Sequence, residues 1–118
     1  MKISIITVSF NDIEGLRRTL DSVKCQTINN FEYIVIDGNS NDGSKELLIQ
    51  YSDIINYSVS EDDKGPFDAM NKGIAKATGE YCIFMNSGDS FYDEHVMENF
   101  IKINPTKDIY TGIAAEHI

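Results

Sequence analysis

Short apolar strands that alternate with amphipathic helices are the feature that most constrains the fold of this chain. The first run, Lys2 to Val8, is rich in Ile, Val and Thr and is apolar at successive positions, so both of its faces should be buried. Strands of this kind form parallel sheets covered by helices on both faces. The pattern therefore predicts a three-layer α/β/α fold with a mostly parallel central sheet.

The pattern divides the chain into strands and helices that follow one another regularly. Strands are expected at Lys2–Val8, Phe31–Ile36, Asn56–Ser60, Tyr81–Met85 and Ile109–Thr111. Helices are expected from Asn11 or Asp12 to Gln26, from Ser44 to Tyr51, from Pro66 to Gly79 and from Asp93 to Ile103, where Pro105 would end the last one. The third helix should carry Phe67, Met70, Ile74 and Ala77 on one apolar face, and Asp42 should cap the helix that begins at Ser44.

Each of the first four strands is followed by a polar loop. These loops are residues 9–12, 37–42, 61–64 and 86–89. Because the carboxyl ends of parallel strands lie at one edge of a sheet, we expect the four loops to converge there. A ligand site is predicted at that edge.

Size and charge limit the kinds of partner. A chain of 118 residues fits one domain, and its net charge of -9 with ten scattered basic residues argues against a nucleic-acid surface. An acidic protein that holds a small phosphate ligand needs a metal ion, helix N-termini or a few local lysines. We therefore expect a divalent metal and no nucleic acid.

The cysteines and the N-terminal residues indicate in which cellular compartment the protein is expected. Cys25 and Cys82 lack CxxC spacing and are expected to be two buried thiols in a reducing compartment, which favours a cytoplasmic location. Asn11, Asp12 and Glu14 stand where a signal peptide would need small cleavage-site residues. No stretch approaches the roughly 20 apolar residues of a spanning helix, so no transmembrane segment is expected in this chain.

Single residues in the loops allow more than one interpretation. Neither a GxGxxG sequence nor a P-loop follows the first strand; Ser9, Phe10 and Asn11 suit a base and ribose, or merely cap a helix. Asp37 could accept a hydrogen bond from a base or a ribose, or could cap its own loop. Lys64 and Lys72 are either solvated charges or diphosphate contacts.

Several motifs taken together resemble family 2 glycosyltransferases. The matching stretches are Ile5 to Asn11, Leu20 to Val23 with Gln26-Thr27, Val35 to Ser44, Ser60 to Ile74, Ala77 to Tyr81, and Phe84 to Asp89. The later stretches are similar to the branch that builds bacterial exopolysaccharides and capsules. The resemblance covers nearly all of residues 2 to 93.

This resemblance implies a GT-A fold, an inverting sugar transfer from a nucleotide-diphosphate donor to a saccharide or lipid-linked acceptor, and a bridging Mg²⁺ or Mn²⁺. The implied nucleotide-binding residues are Val8, Ser9, Phe10, Asn11, Asp37, Asn39, Lys64, Asp68, Asn71, Lys72, Asn86, Ser87 and Gly88. Residues 86–89 occupy the place of the family's Asp-x-Asp motif, but Asn86 and Gly88 replace carboxylates. Asp89 is left as the implied metal ligand, and capping of the turn before the last helix is the alternative.

The resemblance also implies that part of the enzyme lies elsewhere. Family members carry the catalytic base well downstream, in an acceptor-binding half, so the base is expected beyond Ile118 and this chain is expected to be a truncated, donor-binding part that is inactive alone. Exposed strand edges could make such a part self-associate. The parent enzyme is expected in the cytoplasm or at the inner face of the membrane.

Two other functions fit an α/β chain of this size. A flavodoxin-like signalling module would usually group two acidic residues just after the first strand, where Ser9, Phe10 and Asn11 stand. A sugar nucleotidyltransferase would need a Gly-rich loop at the same place. Both alternatives lack their expected residues.

Overall fold

A five-stranded parallel sheet forms the centre of the computed structural model, which describes residues 2–102 and 109–111. The strands are β1 (Ile3–Ser9), β2 (Glu32–Asp37), β3 (Tyr57–Ser60), β4 (Tyr81–Phe84) and β5 (Ile109–Thr111), in the spatial order β3-β2-β1-β4-β5. The helices are α1 (Ile13–Lys24), α2 (Ser44–Gln50), α3 (Pro66–Lys76) and α4 (Val96–Lys102). The predicted order of elements and the parallel sheet are confirmed.

Hydrophobic clusters cover both faces of the sheet. One cluster joins Ile5 of β1 to Leu16 and Leu20 of α1 and to residues of α2 and α4. The other joins Ile6 of β1 to Ala69 of α3. Adjacent residues of β1 thus point into opposite clusters, which explains why this central strand is buried along its whole length. The predicted three-layer α/β/α arrangement is confirmed.

The start of α1 follows the predicted capping pattern. The Asp12 carboxylate accepts a hydrogen bond from the Gly15 amide at 3.2 Å, as an N-cap residue does. A Cβ at Gly15 would lie 2.1 Å from Asp12 Oδ2, so a side chain there would displace the capping carboxylate. The helix ends at Lys24, close to the predicted end at Gln26.

The buried face of α3 differs from the predicted one. Phe67 and Ile74, expected on the apolar face, are 80% and 39% exposed, whereas Ala69 and Gly73 are buried. A Cβ at Gly73 would lie 2.5 Å from Ile6 Cγ2, so the helix packs on the sheet through its smallest residues. Met70 and Ala77 do pack against the buried cluster, so the predicted face was right for these two residues and wrong for Phe67 and Ile74. The helix also ends at Lys76, before Gly79, because Ala77 is already extended.

The remaining predictions concern the last helix and the cysteines. α4 begins at Val96, three residues after the predicted Asp93, and Ile103 and Pro105 lie outside the described residues. Cys82 is buried, but Cys25 is exposed, so the prediction of two buried thiols was wrong for Cys25. Among the described helices, none is long and apolar enough to cross a membrane.

Candidate functional site

The four polar loops lie together at the carboxyl edge of the sheet, as predicted. The Asn11 amide donates to Ser40 Oγ at 2.8 Å, which joins the first loop to the second. Asn39 Nδ2 donates to Asp62 Oδ1 at 3.0 Å, which joins the second loop to the third. Ser87 Oγ donates to Asp12 Oδ2 at 3.2 Å, which closes the set between the fourth loop and the first.

Asp37 lies beneath these loops, where it has no exposed surface. Its carboxylate accepts hydrogen bonds from the Ser40 amide at 2.9 Å, from Ser40 Oγ at 2.6 Å and from Ser60 Oγ at 2.7 Å. Both of its oxygens are therefore used within the protein. This is the loop-capping arrangement, and it differs from the ligand-facing position expected for Asp37, because the loop folds back over the carboxylate.

Asp42 organises the second loop from its other end. Its carboxylate accepts from the Ser44 amide and hydroxyl at the start of α2, and also from the Ile13 amide at the start of α1. Partial burial would raise the pKa of Asp42, but the hydrogen bonds from Ser44 and Ile13 outweigh it and hold the pKa below its ordinary value. The N-cap residue of α2 is Gly43, so Asp42 lies one position before the cap; its carboxylate nevertheless binds the first amide of α2 and the first amide of α1.

The third loop is held by side chains that sequence reasoning assigned to the ligand. Lys72 Nζ donates to the Asp62 carbonyl at 2.9 Å and lies 3.7 Å from the Glu61 carboxylate. The Asp68 carboxylate accepts from the Lys64 amide at 2.9 Å. Lys72 and Asp68 thus fix the backbone of the loop before α3.

The fourth loop is a tight turn anchored to α1. The Asp89 amide donates to the Asn86 carbonyl at 2.9 Å, and Gly88 adopts a φ of 98°, in the left-handed region that favours glycine. Thr19, fully buried on α1, places its hydroxyl 2.6 Å from the Asp89 carbonyl and accepts from the Gly88 amide at 3.1 Å. The turn geometry explains why glycine suits position 88.

A cleft of about 560 Å³ opens between these loops. Its lining residues are Val8, Ser9, Phe10, Gly38, Asp62, Asp63, Gly65, Pro66, Ala69, Asn86 and Ser87. Phe10 is 63% exposed, so one face of its ring is available to a planar ligand. Ser9 Oγ and Asn86 Oδ1 are buried atoms with no hydrogen-bond partner in the described structure. Unpartnered buried polar atoms are uncommon in proteins, and here two of them belong to residues that line one cleft.

Sequence reasoning found only part of this lining. Five predicted residues line the cleft: Val8, Ser9, Phe10, Asn86 and Ser87. The other predicted nucleotide-binding residues are not in the lining: Asn11, Asn39, Lys64 and Gly88 lie in the four loops, Asp37 is the last residue of β2, and Asp68, Asn71 and Lys72 lie on α3. The residues that were missed are Gly38, Asp62, Asp63, Gly65, Pro66 and Ala69. Asp62, Asp63 and Gly65 belong to the acidic loop before the helix that begins at Pro66. The sequence placed this loop at the correct edge of the sheet, but its carboxylates were not predicted to bind a ligand.

The charge of the cleft limits what it can hold. Asp62 and Asp63 are the charged side chains among the described lining residues, and neither Lys nor Arg belongs to that set. A bare phosphate would be repelled by two carboxylates. An anionic ligand therefore requires a cation bound with it or the positive end of a helix dipole, such as the amino end of α3 beside Pro66.

The fourth loop offers a small set of hard oxygen ligands for such a cation. In the described part of the chain no cluster of three or more His, Cys, Asp or Glu side chains could enclose a metal. Asp89 lies in this loop, and the Asp12 carboxylate approaches it through Ser87. Mg²⁺ commonly uses one or two carboxylates and takes its other ligands from water and substrate phosphates. The residues fit a cation bound jointly with a diphosphate, not a closed protein cage.

Comparisons with known proteins place these features in a family. The model of "Glycosyl transferase family 2" matches residues 4–112. An uncharacterised glycosyltransferase of Mycobacterium tuberculosis is 42% identical over 101 residues, which are 85% of this chain and 38% of that protein. A PGL/p-HBAD biosynthesis glycosyltransferase of Mycobacterium bovis is 32% identical over 115 residues, which are 92% of this chain and 45% of that protein. The chain thus spans less than half the length of these relatives.

Solved structures agree on the fold. Staphylococcus aureus TarS (residues 1–349), in complex with UDP-GlcNAc, superposes with a TM-score of 0.77 at 23% identity, over 86% of this chain and 30% of that 1–349 chain. The mannosyltransferase PcManGT of Pyrobaculum calidifontis, in complex with GDP-Man and Mn²⁺, superposes with a TM-score of 0.75 at 20% identity, over 85% of this chain and 31% of its own. Both neighbours support the predicted glycosyltransferase fold, and the flavodoxin-like alternative is not favoured. This chain belongs to glycosyl transferase family 2.

Proposed function

We propose that this chain is the donor-binding part of an inverting glycosyltransferase, and that its cleft holds a nucleotide-diphosphate sugar together with Mg²⁺ or Mn²⁺. The observation that carries the proposal is the cleft itself, which brings an exposed aromatic ring and two unpartnered buried polar atoms to the carboxyl edge of the sheet. Nucleotide-sized ligands bind at this edge in parallel α/β folds. The complexes of TarS with UDP-GlcNAc and of PcManGT with GDP-Man and Mn²⁺ support the same ligand class.

The roles of single residues follow from their positions. The Phe10 ring provides a stacking surface for the base, and Ser9 Oγ and Asn86 Oδ1 provide a hydroxyl and an acceptor for hydrogen bonds with the donor. Asp37, Asn39, Asp68 and Lys72 shape the loops and act as positioning residues. A divalent cation held beside Asp89 would neutralise charge on the leaving diphosphate.

The rest of the reaction needs groups that we do not assign to this chain. Inversion requires a carboxylate base that takes the proton of the acceptor hydroxyl. We propose that the base and the site for a saccharide or lipid-linked acceptor belong to a further segment, which agrees with the share of the relatives that this chain spans. A location in the cytoplasm or at the inner face of the membrane, and self-association through the edge strands, belong to the same proposal.

Thermal denaturation with nucleotides tests the donor site. The chain is heated with UDP, GDP or dTDP, each with Mn²⁺, and a ligand present at a hundred times its Kd stabilises by about 2.7 kcal/mol. At least one nucleotide is expected to raise Tm in the presence of the cation. Absence of a shift with all three would contradict the proposal.

Ser9→Ala is the matched variant for that experiment. Since Ser9 Oγ has no partner among the described residues, its removal should leave the Tm of the unliganded protein unchanged or slightly raised. The nucleotide-induced shift should become smaller. An equal loss of stability with and without nucleotide would instead indicate a structural role for Ser9.

A further inference from the structure

The Asp63 carboxylate and the Phe10 ring meet over a residue that has no side chain. A Cβ added to Gly38 would lie 2.9 Å from Asp63 Oδ2 and 3.2 Å from Phe10 Cδ1. All three residues line the cleft. The carboxylate therefore lies beside the aromatic ring, in space that a side chain at residue 38 would occupy.

The two oxygens of Asp63 have different surroundings. Oδ1 accepts a hydrogen bond from the Gly65 amide at 3.0 Å, which fixes the orientation of the carboxylate. No described residue donates a hydrogen bond to Oδ2. One charged acceptor thus remains available in the cleft next to a ring that is 63% exposed.

Independent features of the cleft indicate that this acceptor meets a ligand. Ser9 is 6% exposed and its hydroxyl has no partner, and Asn86 Oδ1 is also buried without one. Asp37 is fully buried, accepts three internal hydrogen bonds and does not line the cleft, so its carboxylate does not face the ligand space. Asp62 also lines the cleft and accepts from Asn39 through one oxygen, but it is Asp63 whose second oxygen lies beside the Phe10 ring. Asp63 is therefore the carboxylate best placed to contact a ring stacked on Phe10.

We propose that Asp63 determines which base the cleft accepts, and that this base is uracil or thymine. Its Oδ2 would accept the hydrogen bond of the ring imide N–H while the base stacks on Phe10. A single acceptor matches an imide, which presents one N–H between two carbonyls, whereas guanine presents two adjacent N–H donors and cytosine has an acceptor at that ring nitrogen. This inference rests on the proposed donor site.

Asp63→Asn is a sharp test because the Gly65 amide fixes the side chain. The amide oxygen of the new side chain should accept from Gly65, as Oδ1 does now. Its NH₂ group would then face the base where an acceptor stood. The variant should bind UDP more weakly and should shift its preference toward CDP, whose ring nitrogen accepts a hydrogen bond. A purely structural role for Asp63 would not move the preference between bases.

Titration calorimetry with Mg²⁺ measures these preferences, with UDP, 3-methyl-UDP, CDP and GDP as ligands. The protein as it stands should bind UDP roughly tenfold or more tightly than 3-methyl-UDP, which lacks the imide hydrogen, and more tightly than GDP. Asp63→Asn should lose roughly tenfold in UDP affinity and discriminate less against CDP. Asp53→Asn removes the same charge from an exposed residue near the amino ends of β2 and β3, and it should keep the original preferences.

The outcomes separate this inference from the proposed function. Equal binding of UDP and 3-methyl-UDP, tighter binding of GDP than of UDP, or unchanged base preference in Asp63→Asn would overturn the role of Asp63 while leaving a nucleotide site in place. Failure of every nucleoside diphosphate to bind would overturn both proposals.

Discussion

Replacement of Thr19 by valine should loosen the loop that carries Asp89. The Thr19 hydroxyl lies 2.6 Å from the Asp89 carbonyl, closer than to its other acceptors, the Gly15 carbonyl at 3.1 Å and the Asn86 carbonyl at 3.3 Å. Valine keeps the shape of the side chain but removes the donor. Loss of the hydrogen-bond partner of a buried carbonyl costs about 1–3 kcal/mol, and for the partly buried Asp89 carbonyl the lower end of that range, about 1 kcal/mol, is expected.

The Gly88 amide, which also donates to the Thr19 hydroxyl, adds little to the stability lost in Thr19→Val. This amide donates to the Gly15 carbonyl at 3.1 Å as well as to Thr19, so it keeps one partner in the variant. The expected loss for Thr19→Val is therefore the cost of one carbonyl, which corresponds to a fall in Tm of roughly 4 °C per kcal/mol for a domain of this size. Thr19→Ser keeps the hydroxyl and loses one methyl group, about 0.8 kcal/mol.

Urea denaturation, monitored by circular dichroism, measures the free energy of unfolding of each of the two variants. Electron paramagnetic resonance of Mn²⁺, with UDP present, measures how tightly each variant binds the cation. Thr19→Val should be the less stable variant and should bind Mn²⁺ more weakly than Thr19→Ser. If valine were tolerated better than serine, the hydroxyl would not be what anchors the turn, and the reasoning would be refuted.

Three further variants test other parts of the account. Gly73→Ala places a methyl group 2.5 Å from Ile6 Cγ2 and should lower the free energy of unfolding by about 1 kcal/mol after its gain in helix propensity; a more stable variant would contradict the packing. Hydrogen bonds from Thr27, Lys102 and His95 together lower the pKa of Glu98 to about 2, so wild type should lose more stability than Glu98→Gln as pH falls from 4.5 toward 2 in acid titration; parallel curves would refute this. Asp89→Ala should remove the Mn²⁺ dependence of nucleotide binding, and an unchanged Mn²⁺ titration would refute its role.

The backbone layout could be predicted from the sequence because it depends on local patterns. The apolar run of β1 predicted a strand buried on both faces, and it lies at the centre of the sheet. The polar loops follow the strands by chain order alone, so their convergence needed only the assumption of parallel strands. Asp12 caps α1 and Asp42 binds the first amide of α2 through contacts that short-range spacing anticipates, although the hydrogen bond that Asp42 accepts from the Ile13 amide joins segments far apart in sequence.

The details of the site depend on contacts between distant segments. Asp37 is buried because Ser60, from another strand end, joins Ser40 in donating to it. Asp63 enters the cleft because Gly38 leaves space for it, a relation between two loops that no local pattern reveals. The buried stripe of α3 is set by the close approach of Gly73 to β1, which outweighs the larger apolar residues Phe67 and Ile74.

Amide chemical-shift mapping by nuclear magnetic resonance, with UDP and diamagnetic Mg²⁺, tests most directly whether the cleft at the carboxyl edge is the nucleotide site. The largest changes are expected at the amides of Ser9, Gly38, Asp63 and Ser87, which belong to the cleft-lining residues. Amides near the amino ends of the strands, such as Asn56, should stay unchanged. Shifts concentrated at that amino edge, or none at saturating nucleotide, would contradict the account.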